Sequence, residues 1–264
     1  MNDLIRYKLL TDFTEIAHFC TTRGGGASMG NYASFNMSPF SGDNPWDFAI
    51  NKQSLCEQIG VNPTQLIIPY QIHGTEIKEI DERFFQLPAE EKTEYLNGVD
   101  ALFTRIPQVC IGVTTADCVP LVFFDPTQKA VAVAHAGWRG TCAGIAEKTV
   151  QTFVKYYNSN PADIRVTIGP SISADVYEVG EDVVRNFDDA GFDISTIVTK
   201  LNGSFYLDLW KANQLTLKKG GILAEHIEIA GICTFTQHEQ FFSARRLGIK
   251  SGRMLSGIML KGKL

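Results

Sequence analysis

Apolar runs of six to eight residues alternate along this chain with polar, glycine- and proline-containing breaks, and two repeat periods can be read from them. "VPLVFF" (119–124) and "AVAVAHAG" (130–137) flank "DPTQK", whose Asp-Pro start is turn chemistry, so the segment predicts a hairpin of two buried strands. Pairing Phe124 with Ala130 sets Val119 opposite His135, and a slip of one residue would set Cys118 there. In either register Cys118 and His135 are direct or diagonal neighbours, within about 8 Å. "VDALFT", "VCIGVTT", "IRVTIGPSI" and "IEIAGICTF" predict further strands, and "QLIIPYQIHGTEIKEI" (65–80) reads as strand, break, strand. A period near 3.6 appears in "DFAINKQSLCEQIG" (47–60), with Phe48, Ile50, Leu55, Ile59 and a closing glycine. It recurs after Gly140, where Ile145, Thr149, Phe153 and Val150, Val154, Tyr157 mark an amphipathic helix. "EDVVRNFDDAG" and "DLWKANQLTLKKG" predict two more helices. Interspersed strands and helices with an antiparallel hairpin imply a mixed-sheet α+β protein rather than a purely parallel sheet.

Composition narrows the function classes. The 264 residues are 44% hydrophobic, enough for a large core, and no repeat or low-complexity linker divides them, so residues 1–264 are expected to form one domain. A net charge of −5 with scattered basic residues argues against a nucleic-acid partner. No apolar run approaches the ~18 residues that span a membrane, and "MNDLIRYKLL" lacks the pattern of an export signal, so a cytoplasmic location and no membrane partner are expected. The cysteines at 20, 56, 110, 118, 142 and 233 form no C-x-x-C pair. In a reducing compartment, Cys20, Cys56, Cys110, Cys142 and Cys233 read as small buried hydrophobes.

Cys118 is the exception, because its hairpin brings it to His135. A nucleophilic Cys–His pair is one reading, although strand alternation would turn the neighbouring Asp117 to the opposite face, away from His135. A metal site is the other: His73 in "QIHGT", beside Gly74, supplies a third N/S donor and leaves a fourth position open, as catalytic zinc sites do. His18 sits within an apolar strand-like run, and His226 and His238 lie in polar surroundings. A zinc nucleobase deaminase signature is absent, since "HIE" at 226–228 has no P-C-x-x-C after it. Two histidines and a cysteine also suit a blue-copper centre, but five isolated histidines are too few for a multicopper oxidase. "TTRGGGASMG" (21–30) is a glycine-rich loop without the ending of a P-loop.

Taken together, "FCTTRGGGASMGNYASFNM", "QIHGT", "VDALFT", "TTADCVPLVFFD", "AHAGWRGT", "TIGPSI" and "FFSARRLGIKSGRM" resemble the bacterial laccase-domain family, also described as multicopper polyphenol oxidoreductases, purine nucleoside phosphorylases and peptidoglycan editing factors. The resemblance covers nearly the whole chain. It implies zinc on His73, Cys118 and His135, and two mixed sheets packed face to face with helices outside, in α/β/β/α layers similar to the catalytic domain of the cytotoxic necrotizing factors. It implies phosphorolysis of adenosine, inosine and methylthioadenosine, and deamination of adenosine. Arg139 just before a helix, Arg23 and Arg246 are expected to hold phosphate, with Asn36 and Gln71 as further substrate contacts. Asp100 and Asp117 are expected to orient an imidazole or to act as acid and base, and Trp138 is a candidate for base stacking. The alternatives are removal of L-serine from a UDP-muramoyl peptide precursor by zinc or the Cys118–His135 pair, a copper polyphenol oxidase, and a non-enzymatic zinc-stabilised binding module. The chain departs from the family pattern at Lys52, where an arginine is usual, and at Ala244, where the pattern has tyrosine.

Overall fold

The computed structural model describes residues 3–262 and places two mixed sheets face to face. One has the strand order Leu4–Ile5, Ile16–Thr21, Met254–Leu260, Cys110–Thr115, Leu66–Ile67. The other has the order Ile227–Ile229, Arg165–Ile168, Val119–Asp125, Ala130–Ala136, Ala101–Thr104, Ile77–Glu79. Both are antiparallel at their centres; the five-stranded sheet has a parallel pair at one edge and the six-stranded sheet at both. The fold is α+β, as the interspersed pattern predicts.

Alternation along the central strands assigns the layers. Val122, Phe124, Val131 and Val133 join Ile111, Val113, Met254 and Ile258 of the opposing sheet in one buried cluster. Leu121, Phe123 and the alanines at 130, 132, 134 and 136 point the other way, against Ile145, Val150 and Phe153. Four small residues on that face let the helix Ile145–Tyr157 lie close to the sheet. That helix enters through Gly144 and leaves through Asn158, both left-handed. On the outer face of the five-stranded sheet, Leu55 and Cys56 of the helix Pro45–Ile59 pack on Phe19, Cys110, Leu255 and Met259. Asn44 caps this helix at the Trp46 N–H, 3.0 Å away, and Gly60 ends it at φ 69°.

Two features differ from the sequence reading. The hairpin closes one residue tighter: Asp125 pairs with Ala130, Pro120 with His135 and Val119 with Ala136. The cause is the Asp125 carboxylate, which accepts from the N–H groups of Thr127 (2.8 Å) and Gln128 (2.9 Å) and holds a four-residue turn. A third, antiparallel sheet of Glu178–Val179, Ser204–Leu207 and Val198–Leu201 is also present. No helix among the described residues is long and apolar enough to cross a membrane.

Candidate metal centre

The centre forms where the hairpin opens. Cys118 immediately precedes the strand Val119–Asp125, and His135 is the next-to-last residue of its partner, on the same face as Val131 and Val133 and so in the seam between the sheets. His73 arrives from the loop between Leu66–Ile67 and Ile77–Glu79, in a left-handed conformation at φ 64°. One donor atom from each of His73, Cys118 and His135 lies within 4.8 Å of the other two. His135 is buried, Cys118 half-buried and His73 exposed, so the set opens to solvent on one side. Among the described residues no fourth histidine, cysteine or carboxylate joins it.

Asp100 builds this arrangement. Its fully buried carboxylate accepts from the N–H groups of Ile72 (3.3 Å), His73 (3.0 Å) and Gly74 (2.6 Å), which fixes the loop carrying His73. It also accepts from His135 Nδ1 at 2.8 Å. That bond places the ring proton on Nδ1 and leaves Nε2 as the free donor, the arrangement that supports metal-bound histidines. Burial raises the Asp100 carboxyl, but the bonds from His135 and the loop outweigh it and hold it below its ordinary value.

The thiol and imidazole polarise each other. Burial alone pushes Cys118 up; His135 and His73 outweigh it, and the thiol falls to about 6. Burial alone pushes His135 down; Cys118 and Asp100 outweigh it, and the imidazole rises to about 9. Without a metal the pair is therefore thiolate and imidazolium at neutral pH. Thiolate plus imidazole is also the donor set that borderline-soft zinc prefers.

Two glycines make room. A Cβ on Gly137 would lie 3.0 Å from His73 Cδ2 and 3.1 Å from Cys118 Sγ, wedged into the donor cluster. A Cβ on Gly140 would meet the Gly74 carbonyl at 3.1 Å, so glycine lets the short helix Trp138–Cys142 rest on the His73 loop.

The donors open into a cavity of about 520 Å³ that is also lined by Phe40, Tyr70, Gln71, Ala244, Ile249, Lys250 and Arg253. Gln71 braces a strand, exchanging bonds of 2.8 and 2.9 Å with the backbone of Thr114. Asn36 is buried in a network with Ser38, Ser41, Asp43 and the Arg253 N–H. Arg23 donates to the carbonyls of Ala33 (2.7 Å) and His238 (2.9 Å), and Arg246 to that of Phe235 (2.6 Å). Arg139 is exposed, inside the short helix rather than before it, with its guanidinium 4.2 Å from the centre of the Trp138 ring. Asp117 sits at φ 87° and accepts from Thr234 Oγ1 (2.7 Å), Ser243 Oγ (3.0 Å) and the Arg245 N–H (2.7 Å). Its bonds run to the C-terminal segment, and His135 is oriented by Asp100 instead. Lys52 lines a separate cavity of about 300 Å³.

The sequence reading passed over Lys250 and Arg253, although both lie in the quoted "FFSARRLGIKSGRM" stretch. Lys250 is exposed and has no hydrogen bond or ion pair among the described residues. Arg253 donates to the carbonyls of Ile249, Ser251 and Gly252 and so shapes the loop that presents Lys250. The readable signal was a lysine between the glycines at 248 and 252 and an arginine directly after the second, just before the last strand. Tyr177 was also missed: burial and the nearby Cys118 push its phenol up to about 12, and the Arg245 guanidinium lies 5.3 Å from its ring centre.

Residues 17–261 match the family model described as "Multi-copper polyphenol oxidoreductase laccase". A protein named purine nucleoside phosphorylase from Bacteroides thetaiotaomicron is 43% identical over 97% of this chain and 96% of its own. Adenosine deaminase RL5, from an unknown prokaryotic organism, is 40% identical over 92% and 93% of the two chains. The crystal structure of YlmD from Geobacillus stearothermophilus superposes with a TM-score of 0.88 at 33% identity, over 95% of this chain and 93% of that one.

Proposed function

Because this chain belongs to the multi-copper polyphenol oxidoreductase laccase family, whose relatives above bear the names of enzymes, we propose that it phosphorolyses purine nucleosides, and hydrolytically deaminates adenosine, at a zinc centre of His73, Cys118 and His135. The chain is an enzyme; the reaction and the metal are the proposal. Residues 1–264 act as one cytoplasmic catalytic domain on small-molecule substrates.

The observation that carries this reading is the convergence of the three donors on one cavity whose wall holds Lys250 and Arg253. His73, Cys118 and His135 would hold zinc, which when bound would supply Lewis-acid polarisation of a substrate or water oxygen. The mixed thiolate and imidazole donors fit zinc, and among the described residues no methionine lines the cavity as the axial donor of a blue-copper site would. Asp100 keeps the His135 proton on Nδ1. Lys250, held by the loop that Arg253 shapes, meets the phosphate dianion. In phosphorolysis a phosphate oxygen bonds to the sugar C1′ as the glycosidic bond to the base nitrogen breaks. Arg139, exposed on the short helix but outside the cavity lining, remains a further anion contact.

One observation favours a second reading. Cys118, His135 and Asp100 form a thiolate–imidazolium–carboxylate series, the arrangement of a cysteine hydrolase. In metal-free protein it would support amide cleavage, such as removal of L-serine from a UDP-muramoyl peptide. Metal ligation ties up the same sulfur, so the two readings exclude each other at full occupancy.

The test is metal content of protein purified without chelator, for wild type and Cys118→Ala, followed by turnover of adenosine, inosine and methylthioadenosine with phosphate. One equivalent of zinc, lost in the variant together with turnover, is the expected result. Copper at several equivalents would favour the oxidase, and no metal with muramoyl-peptide hydrolysis would favour the cysteine hydrolase.

A further inference from the structure

Around the cavity mouth, apolar side chains face solvent instead of packing. Phe40 is 47% exposed, Tyr70 44% and Ile249 81%, and all three line the cavity that holds the metal donors. Scattered exposed hydrophobic residues need no explanation, but a cluster at the lip of a polar site does. The Phe40 and Tyr70 rings meet edge to face, with centroids 5.0 Å apart and planes at 82°, so each braces the other. Their backbones are also tied: the Phe40 N–H donates to Ser38 Oγ at 3.2 Å, and the Tyr70 N–H to the Leu96 carbonyl at 3.0 Å. The rings are therefore preorganised on fixed loops. Ala244, which also lines the cavity, has only a methyl group and so takes little of its width.

We propose that Phe40 and Tyr70 form the stacking platform for the planar base of the substrate, and so set its specificity. The inference rests on the purine-nucleoside reading and assigns the end of the nucleoside which that reading leaves unplaced. Phosphate is assigned to Lys250 and the reacting oxygen to the metal donors; beside neutral polar groups such as Ser38, Ser41 and Thr115 the cavity carries an aromatic lip, and a neutral heterocycle is the part of a nucleoside that matches it. An aromatic surface reads the π-face of a base and not its hydrogen-bonding edge, so it tolerates a change of ring substituent. It accepts adenine and hypoxanthine alike, as an enzyme that uses both adenosine and inosine requires. A platform of this kind also predicts weak discrimination among purines and poor use of pyrimidine nucleosides, whose single ring covers less of the aromatic surface.

The test is steady-state kinetics of the zinc-loaded enzyme with adenosine, inosine and uridine, varying nucleoside and phosphate separately, for Phe40→Ala, Tyr70→Ala and Tyr70→Phe. Each alanine variant is expected to raise KM for both purine nucleosides about 10-fold or more, as the loss of one stacking partner does. KM for phosphate and the zinc content should stay at wild-type values, which shows that the fold and the centre are intact. Tyr70→Phe, which keeps the ring, is expected to retain most of the affinity. Trp46→Ala, which removes a still more exposed ring that does not line the cavity, controls for general surface effects. Unchanged nucleoside KM in both alanine variants of an enzyme that turns nucleosides over would overturn the platform alone. A zinc-loaded wild type that neither binds nor turns over purine nucleosides would overturn the platform together with the reading beneath it.

Discussion

Cys118 and Cys20 are the same residue type in neighbouring layers, and the structure drives their thiols in opposite directions. Cys20 is fully buried in the seam between the sheets, and burial, only partly offset by Ser256, pushes its thiol up to about 12. Cys118, at the end of that seam, feels burial in the same direction, yet it falls to about 6 because two imidazoles face it. Desolvation alone therefore makes a cysteine inert; cationic partners at fixed distance make it a ligand or a nucleophile. Cys110 repeats the Cys20 case in the outer layer, where its apolar surroundings push the thiol up as well.

The widest separation between the two regions is in thiol chemistry. At pH 7 a thiol lowered to about 6 is mostly thiolate, while one raised to about 12 stays protonated. In metal-stripped protein, iodoacetamide should therefore modify Cys118 first and leave Cys20 and Cys110 intact. The sign follows from a depressed acid: the reactive thiolate is present above the shifted value and is lost as pH falls through about 6. At the upper end His135 gives up its proton near 9, so the ion pair holds between those two limits. Peptide mapping after timed alkylation from pH 5 to 9 checks this, and modification with no rise near 6, its first rise coming only near 9, would show that the imidazoles do not act on the sulfur. Added zinc should slow the modification.

Asp100 tests the comparison at the next level, because it holds the imidazole that distinguishes the two cysteines. Asp100→Asn exchanges an acceptor for an amide that can donate to Nδ1, favouring the tautomer with its proton on Nε2 and weakening the anchor of the Ile72–Gly74 loop. Loss of such a partner costs about 10- to 100-fold in metal affinity. Competition with a chromophoric zinc chelator measures it, and an unchanged affinity would mean that Asp100 only braces the loop.

These two regions also show what the sequence discloses. The layers were legible because apolar periods of two and 3.6 assign faces without reference to distant residues. The proximity of Cys118 and His135 was legible for the same reason, since one hairpin carries both. Its register was not, because the Asp125 side chain, and not the apolar pattern, closes the turn. The strand Met254–Leu260 went unassigned although it is central to its sheet, because "MLSGIML" places serine and glycine mid-strand and its partners lie far away in sequence. The small third sheet carried a readable signal in Asn202-Gly203, an Asn-Gly turn with φ of 51° and 87° between two short strands. Lys250 and Arg253 reach the cavity through a loop conformation that no periodicity encodes.

The smallest effect belongs to the inert thiols. Cys110 is fully buried among Phe19, Leu55, Leu255 and Met259, on the face of its sheet away from the metal donors. Cys110→Ala removes one sulfur from that packing and should cost about 1–2 kcal/mol, a loss of transfer energy plus a small void. For a chain of this size each kcal/mol lowers Tm by about 2–4 °C, which scanning calorimetry resolves. Zinc content and turnover should be unchanged, because the void opens between the five-stranded sheet and the helix Pro45–Ile59, while the donors are held by the other sheet and by Asp100. A loss of zinc in this variant would show that the outer layer and the centre are coupled through the strand Cys110–Thr115, whose Thr114 backbone pairs with Gln71, two residues before His73.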